Sequence, residues 1–405
     1  MVYMSLLRKG LFPVFLAVAF LAVFGIGFWV GEEQVVCEVC PPQDVNFSLF
    51  WEAWQKLQEK YVDPAKFNTE NMIYGAISGM VNSLGDPYTV FFDPDESKTF
   101  LEDVSGRFEG VGMEIGSKNN QLQVIAPLEG TPAEKAGLRP GDKIIKIDDT
   151  FTINLTIDEA VKLIRGPRGT EVALSIIREG WNAPEEFKIK RALIEVPSLK
   201  MEMISSSGQA DGEKDVAYIK LYQFSENASY DFTKAALDIL NSPAKRIILD
   251  LRSNPGGYLE IAQNIAGWFL EKGQTVVVED FNNRQKQAVY AAEGNSKLSH
   301  YPLVVLINQG SASASEILAA ALRDNRGVKL IGETSYGKGS VQELESLSKN
   351  SSLKITVADW LTPKGEKITG VGLEPDVEVE LTDEDYQNNK DPQLDKALEI
   401  IKELK

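Results

Sequence analysis

Leu303-Val304-Val305-Leu306-Ile307-Asn308-Gln309-Gly310-Ser311-Ala312-Ser313-Ala314-Ser315-Glu316 contains the transition on which the fold turns. A short unbroken apolar run is the pattern of a strand buried on both faces. The Gly/Ser/Ala stretch after it reads as a turn, and the Ala-rich segment to Arg323 as a helix. The same order recurs on either side. Val216–Leu221 and Arg246–Leu251 read as buried strands, the second ending in Arg252-Ser253-Asn254-Pro255-Gly256-Gly257 before a helix through Trp268. Val328–Ile331 leads into Gly332-Glu333-Thr334-Ser335-Tyr336-Gly337-Lys338-Gly339-Ser340. Such alternation predicts an α/β region over residues 197–380, with its unusual turns at the carboxyl ends of the strands, where open α/β sheets bind ligands.

Two readings of the Ser-rich turn stand side by side. A serine opening a helix serves as an N-cap; alternatively the turn presents a hydroxyl at the sheet edge, where the helix N-terminus stabilises developing negative charge. A nucleophilic serine needs a base. The only histidine, His300, precedes the strand that the serines follow, roughly 20 Å away at 3.3 Å per residue. Lys338 follows the next strand and emerges at the same edge as the serines. To act near pH 7 its amine must drop about 3 pKa units from ~10.4, about 4 kcal/mol, which burial among apolar groups can supply. Gln342 can accept a hydrogen bond from that amine without adding charge.

Leu101–Val196 changes to short strands with two compact helices. Thr131-Pro132-Ala133-Glu134-Lys135-Ala136-Gly137 spells a one-turn helix, with a capping box expected between Thr131 and Glu134, and a second box, Thr156 with Glu159, opens another helix. Strands are expected at 121–126, 143–148 and 171–178. With Gly110-Val111-Gly112-Met113 and Pro140-Gly141-Asp142-Lys143-Ile144-Ile145, the segment resembles a PDZ domain. The resemblance implies a carboxylate-binding loop at Gly110, Val111, Gly112 and Met113, where glycines let backbone N–H groups converge on a peptide terminus.

The N-terminal residues Leu11–Val30 carry no charge, follow Arg8 and Lys9, and precede Glu32 and Glu33. About twenty such residues span a bilayer as a helix, and the charge order puts the bulk of the chain outside the cytoplasm. A cleaved signal peptide is the competing reading, weakened by the length of the run and by the lack of an A-x-A site. Cys37 and Cys40 fall just beyond it, where a local or intersubunit disulfide is plausible in an oxidising compartment. Phe47–Tyr61 and Thr69–Leu84 read as helices with scaffolding roles. The net charge of −17 argues against nucleic acid as a partner, and one histidine leaves no multi-His metal site, so no metal or other cofactor is expected.

Taken together, Leu84-Gly85-Asp86-Pro87-Tyr88-Thr89, the PDZ segment, Asp250–Gly257, Gly310–Glu316, Gly337–Gln342, Thr362-Pro363 and Gly372–Asp376 resemble the carboxyl-terminal processing (tail-specific) proteases. The resemblance implies Ser313 as nucleophile, Lys338 as general base, Gln342 as its positioning partner, and an oxyanion hole from the N–H of Ala314 with that of Gly256 or Gly257. The expected architecture is α/β and α+β multidomain: a cytoplasmic stub and transmembrane helix (1–31), a linker and helical region (32–100), a PDZ domain (101–196), an α/β Ser/Lys protease core (197–380) and a helical tail (381–405). Expected partners are unfolded or partly folded proteins recognised by their C-termini, and, through the resemblance, a second copy of the chain by way of residues 46–100 and the tail. The expected location is the cell membrane, single-pass, with the catalytic region extracytoplasmic.

Two other classes compete. Gly332-x4-Gly337-Lys338 approaches a phosphate-binding P-loop, but the position that must hold Mg²⁺ is Gly339 rather than Ser or Thr, and a strand rather than a helix is expected to follow. A tethered, non-catalytic PDZ adaptor would have no use for the intact Ser313, Lys338 and Gln342.

Overall fold

The computed structural model describes residues 20–24 and 45–404, apart from loop positions 119–120, 129, 154, 179, 208–211, 283, 383, 386–387 and 389. Of the apolar run at 11–30, only Phe20–Phe24 falls within these residues, as exposed helix. Cys37 and Cys40 lie outside them. No helix among the described residues is long and apolar enough to cross a membrane.

The chain divides into two units, Met1–Met72 and Ile73–Lys405. In the first, α1 (Ser48–Lys60) carries no buried residue, and its aromatic side chains meet edge to face: Phe50 on Trp51, and Trp54 on Phe67. The second helix, α2 (Thr69–Asn82), bridges the boundary, and the chain turns at Gly85 in the left-handed conformation that glycine tolerates.

In the second unit, β1 (Val90–Phe92) leads into α3 (Pro94–Ser105), which opens with an Asp93/Glu96 capping box and closes on left-handed Gly106. A two-stranded ribbon of β2 (Arg107–Gly110) and β9 (Ala192–Glu195) forms the neck of the PDZ unit. Between them lie β3 (Met113–Lys118), β4 (Gln121–Pro127), α4 (Pro132–Lys135), β5 (Lys143–Ile147), β6 (Thr150–Phe151), α5 (Ile157–Ile164), β7 (Glu171–Ile177) and β8 (Glu185–Lys190). Their sheet order is β3-β4-β5-β7-β8, which leaves β3 at an edge. Alternating side chains such as Val124, Ile144, Ile147, Leu174 and Ile176 fill the core.

The box at Thr156 and Glu159 forms as expected, whereas the one at Thr131 does not. Glu134 Oε2 accepts from Gly130 N–H at 2.7 Å, and the Thr131 hydroxyl instead meets the carbonyls of Gly112 (2.8 Å) and Leu128 (2.6 Å). A buried hydroxyl needs an acceptor, and one of the two it finds here belongs to the Gly110–Met113 loop.

The main sheet has the order β10 (Leu199–Ile204), β11 (Val216–Leu221), β12 (Arg246–Asp250), β15 (Leu303–Ile307), β16 (Lys329–Gly332), β19 (Val377–Glu378), parallel from β11 onward. One face is covered by α6 (Ala228–Leu240), α7 (Leu259–Phe269) and α8 (Ala314–Arg326), around Ile219, Leu249, Val305 and Phe269. The other is covered by α9 (Pro392–Glu403), whose Ala397, Leu398 and Ile401 pack on Val216, Ile248, Val304, Leu306 and Ile331. The tail assigned by sequence to intersubunit contact thus spends its apolar face on its own chain's sheet. A second sheet joins β1, β18 (Ser352–Leu361), β13 (Thr275–Asp280) and β14 (Ala288–Ala291), with β17 (Ser340–Ser346) also on β18. The region read as helical scaffolding therefore contributes a strand, paired Val90 to Lys354.

Candidate active site

Three loops meet at the carboxyl edge of the main sheet, after β12, β15 and β16. The loop after β15 ends at Ser313, whose φ of 55° and ψ of −116° lie outside the ordinary regions for a residue with a Cβ. Such backbone costs about 1–3 kcal/mol and persists only where surrounding contacts enforce it. Those contacts are visible. Ser311 Oγ donates to Leu251 O (2.8 Å), Ser315 Oγ to Asn254 O (2.9 Å), and Ala312 N–H to Asn254 O (3.0 Å). The two flanking serines are thus consumed by the turn below, whereas the Ser313 side chain stands at the N-cap of α8, in a capping box with Glu316.

The loop after β16 brings Lys338 to the same place through Glu316, a residue that sequence reading left without a role. Its carboxylate is buried and accepts four donors: Ser313 N–H (2.9 Å) and Lys338 N–H (2.9 Å) on one oxygen, Gly337 N–H (2.7 Å) and Ser335 Oγ (2.5 Å) on the other. The backbone nitrogens of Ser313 and Lys338 are therefore no farther apart than two hydrogen bonds laid end to end. Burial pushes the Glu316 carboxyl above its ordinary value, against those donors. The signal in the sequence was present, because Glu three residues into a helix is a capping position, but that spacing reads as local rather than as a bridge to a loop some twenty residues away.

The Lys338 amine is half-buried, and burial lowers its pKa against a smaller upward pull from Glu316. Its Nζ lies 5.7 Å from the ring of Tyr88, and no ion pair or hydrogen bond holds it among the described residues. Tyr88 arrives on the Gly85–Thr89 turn, a segment that sequence reading left without chemistry. Asp86 fixes that turn by accepting Tyr88 N–H (3.0 Å) and Thr89 Oγ1 (2.6 Å), and burial beside the Tyr336 hydroxyl pushes the Tyr88 phenol up. Gln342 does not reach toward Lys338 with its amide nitrogen. That group donates to Ser340 O (2.9 Å) and Ser340 Oγ (2.7 Å), which leaves the Gln342 oxygen unengaged.

The loop after β12 supplies the glycines. A Cβ on Gly256 would stand 2.8 Å from Ser313 Cβ and 3.0 Å from Ala314 N, so this glycine borders the nucleophile turn. Its own N–H is spent on Asn254 Oδ1 at 2.9 Å. The N–H groups of Gly257 and Ala314 have no acceptor among the described residues. His300 is exposed beside Tyr301, before β15 and hence at the opposite edge. Among the described residues no group of His, Cys, Asp and Glu could hold a metal.

In the PDZ unit, Gly110–Met113 lies between β2 and β3, and a narrow cleft of about 60 Å³ runs beside edge strand β3, lined by Phe108, Gly112, Ile115, Val161 and Ile164. At its mouth the Arg165 guanidinium sits 4.4 Å over the Phe108 ring and pairs with Asp103 at 2.7 Å.

The sequence matches the model of peptidase family S41 over residues 215–379, a PDZ domain over 123–178, and the N-terminal domain of the activating protease CtpB over 35–96. It is 38% identical over 340 residues to the carboxy-terminal processing protease CtpA of Bacillus subtilis, covering 84% of this chain and 70% of that one. It is likewise 38% identical over 354 residues to the carboxyl-terminal-processing protease of Synechocystis, covering 86% and 81%. Among solved structures, the photosystem II D1 C-terminal processing protease aligns at TM-score 0.51 and 29% identity over 82% of this chain and 92% of that one. A putative S41 protease from Bacteroides fragilis shares the fold at TM-score 0.55 and 16% identity, over 91% of this chain and all of that one. With its PDZ unit and mixed α/β catalytic fold, the chain belongs to the carboxy-terminal processing proteases, serine peptidases of family S41.

Proposed function

We propose that this peptidase works by a Ser/Lys mechanism centred on Ser313 and Lys338. The observation that carries the reading is the Glu316 carboxylate, which clamps the backbone of both residues to one oxygen. The Ser313 oxygen attacks the scissile carbonyl and passes its proton to the neutral Lys338 amine. The oxyanion is received by the N–H groups of Ala314 and Gly257, a more economical pair than one using Gly256, whose N–H is already engaged. The Lys338 ammonium, steadied by the free oxygen of Gln342, then protonates the leaving amine. That leaves an acyl ester on Ser313, and Lys338 next takes a proton from the water that hydrolyses it.

The PDZ cleft beside β3 supports capture of a substrate's extended C-terminal tail, added as a strand with its carboxylate on the Gly110–Met113 amides. The uncharged run at 11–30 supports a single-pass membrane anchor with the peptidase outside the cytoplasm. An unstructured protein substrate, with a free or an amidated C-terminus, tests the whole reading. Wild type should cleave the free form, Ser313→Ala and Lys338→Ala should cleave neither, and amidation should slow wild type at least tenfold. Cleavage by Ser313→Ala would overturn the site, and indifference to amidation would overturn tail recognition.

A further inference from the structure

The polar groups at the start of α9 take no part in the chemistry described above, yet they are buried beneath the loops that do. Arg252, in the loop after β12, is nearly enclosed. Its two terminal nitrogens grip the Asp391 carboxylate, each at 2.8 Å, and its Nε and Nη2 grip Asp250 at 2.7–3.1 Å. Gln393, fully buried, accepts from Arg252 Nη1 at 3.0 Å and donates to Val379 O at 2.8 Å and to Glu333 Oε1 at 3.3 Å. Glu333 opens the loop that ends at Lys338, and its N–H is tied to Ile307 O at 3.1 Å, at the head of the Ser313 turn. Arg252 stands two residues before Asn254, which holds Gly256 N–H and accepts both Ala312 N–H and Ser315 Oγ. One amide therefore touches the support of the oxyanion glycines with one end and the root of the base loop with the other.

We propose that Gln393, held by Arg252, is a positioning residue for peptide cleavage, setting the register between the Arg252–Gly257 loop and the Glu333–Lys338 loop. The proposal rests on Ser313 and Lys338 being nucleophile and base. Packing alone does not call for an amide here, because Ala397, Leu398 and Ile401 already seal α9 to the sheet. A buried amide is costly unless both its ends are engaged, and a fully engaged one favours a single arrangement of its neighbours. Alignment of reacting groups is sensitive to shifts of an ångström or less.

The test is Gln393→Met, which keeps length and bulk while deleting all three hydrogen bonds, assayed with a short internally quenched peptide and normalised by titrating Ser313 with a fluorophosphonate. The expected result is a kcat per titrated site about 30-fold below wild type, with KM within twofold. The acid limb of the kcat/KM pH profile should also move to higher pH, because a loosened base loop admits water to Lys338 and lets its pKa rise. A merely structural role would lower the number of titratable sites and leave the limb in place. If Gln393→Met fails to fold, Glu333→Ala, at a half-buried position, cuts the same link and should move the limb the same way. An unmoved limb in the folded variant overturns the proposal, whatever the loss of rate. Ser313→Ala runs alongside: if it still cleaves, the site assignment has failed, whereas an inert Ser313→Ala beside an unmoved limb removes only the role of Gln393.

Discussion

As the proposed base, Lys338 must be uncharged to accept a proton, and its surroundings favour that state. Burial lowers its pKa from 10.5, and the opposing carboxylate of Glu316 is engaged by four donors that spread its charge. Because the depressed value belongs to the free base, kcat/KM should be flat above it and fall tenfold per pH unit below it, as the amine becomes ammonium. Lys338→Arg, which cannot lose its proton near neutrality, should lose at least about a thousandfold at every pH. Gly256→Ala tests the neighbouring surface. The added methyl would meet Ala312 O at 2.7 Å and Ser313 Cβ at 2.8 Å at a φ of +99°. We expect kcat to fall by about 10²–10³ with KM little changed, because the methyl, 3.0 Å from Ala314 N, displaces that proposed oxyanion donor. The Ser-rich turn, Lys338 and the glycine pair stand in compact runs of unusual composition that sequence reading singled out, whereas the choice of Ser313 among three serines came from the family resemblance. Glu316 and Tyr88 were left without a role. Their side chains act on residues distant in the chain, while their local patterns, a capping position and an Asx turn, already have sufficient local explanations.

At the scale of elements, sequence reading placed β4, β5 and β7 of the PDZ unit within a residue, since alternation and turn glycines are local signals, but set no bounds for β2, β3, β6, β8 and β9. It misassigned the hydroxyl of Thr131, which braces the carboxylate-binding loop instead of capping α4. Gly112 and Thr131 are in such close contact that a Cβ on the glycine would stand 2.5 Å from the threonine. Thr131→Val keeps the shape but removes the hydroxyl's bonds to the Gly112 and Leu128 carbonyls, which are left with only the N–H groups of Leu128 and Thr131. At roughly 1 kcal/mol for the lost bonds, the affinity for a C-terminal peptide, measured by fluorescence anisotropy, should drop about fivefold with cleavage of a short tail-independent peptide unchanged. The pairing of β1 with β18 was beyond sequence reading for a different reason: Val90–Phe92 is too short for periodicity to speak, and its partner lies far along the chain.

Across the molecule, the main sheet is sealed on one face by three helices and on the other by α9, pinned at its start by Asp391 on Arg252 and near its end by the Ile401 carbonyl on Arg246. The Asp391 carboxyl is held below its ordinary 3.8 because the bonds from Arg252 outweigh the opposing effect of burial. A depressed carboxylate stabilises the fold above its unfolded-chain value, and that contribution disappears as the pH falls through the folded value. The stability gap between wild type and Asp391→Asn in urea titrations should therefore be full from neutrality down to about pH 4 and close below it. A gap of constant size down to pH 2 would show that Asp391 is not ionised in the folded protein.

The closure of the second sheet has a consequence for biosynthesis. Thr356 N–H reaches back to the hydroxyl of Thr89, 267 residues earlier, and the turn that carries Tyr88 to the catalytic amine is docked by that contact. A ribosome must release nearly the entire polypeptide before this docking can form, and contacts of such long range are among the slowest to assemble. An unfinished chain therefore lacks the turn that sets Tyr88 beside Lys338 until its own synthesis is almost over.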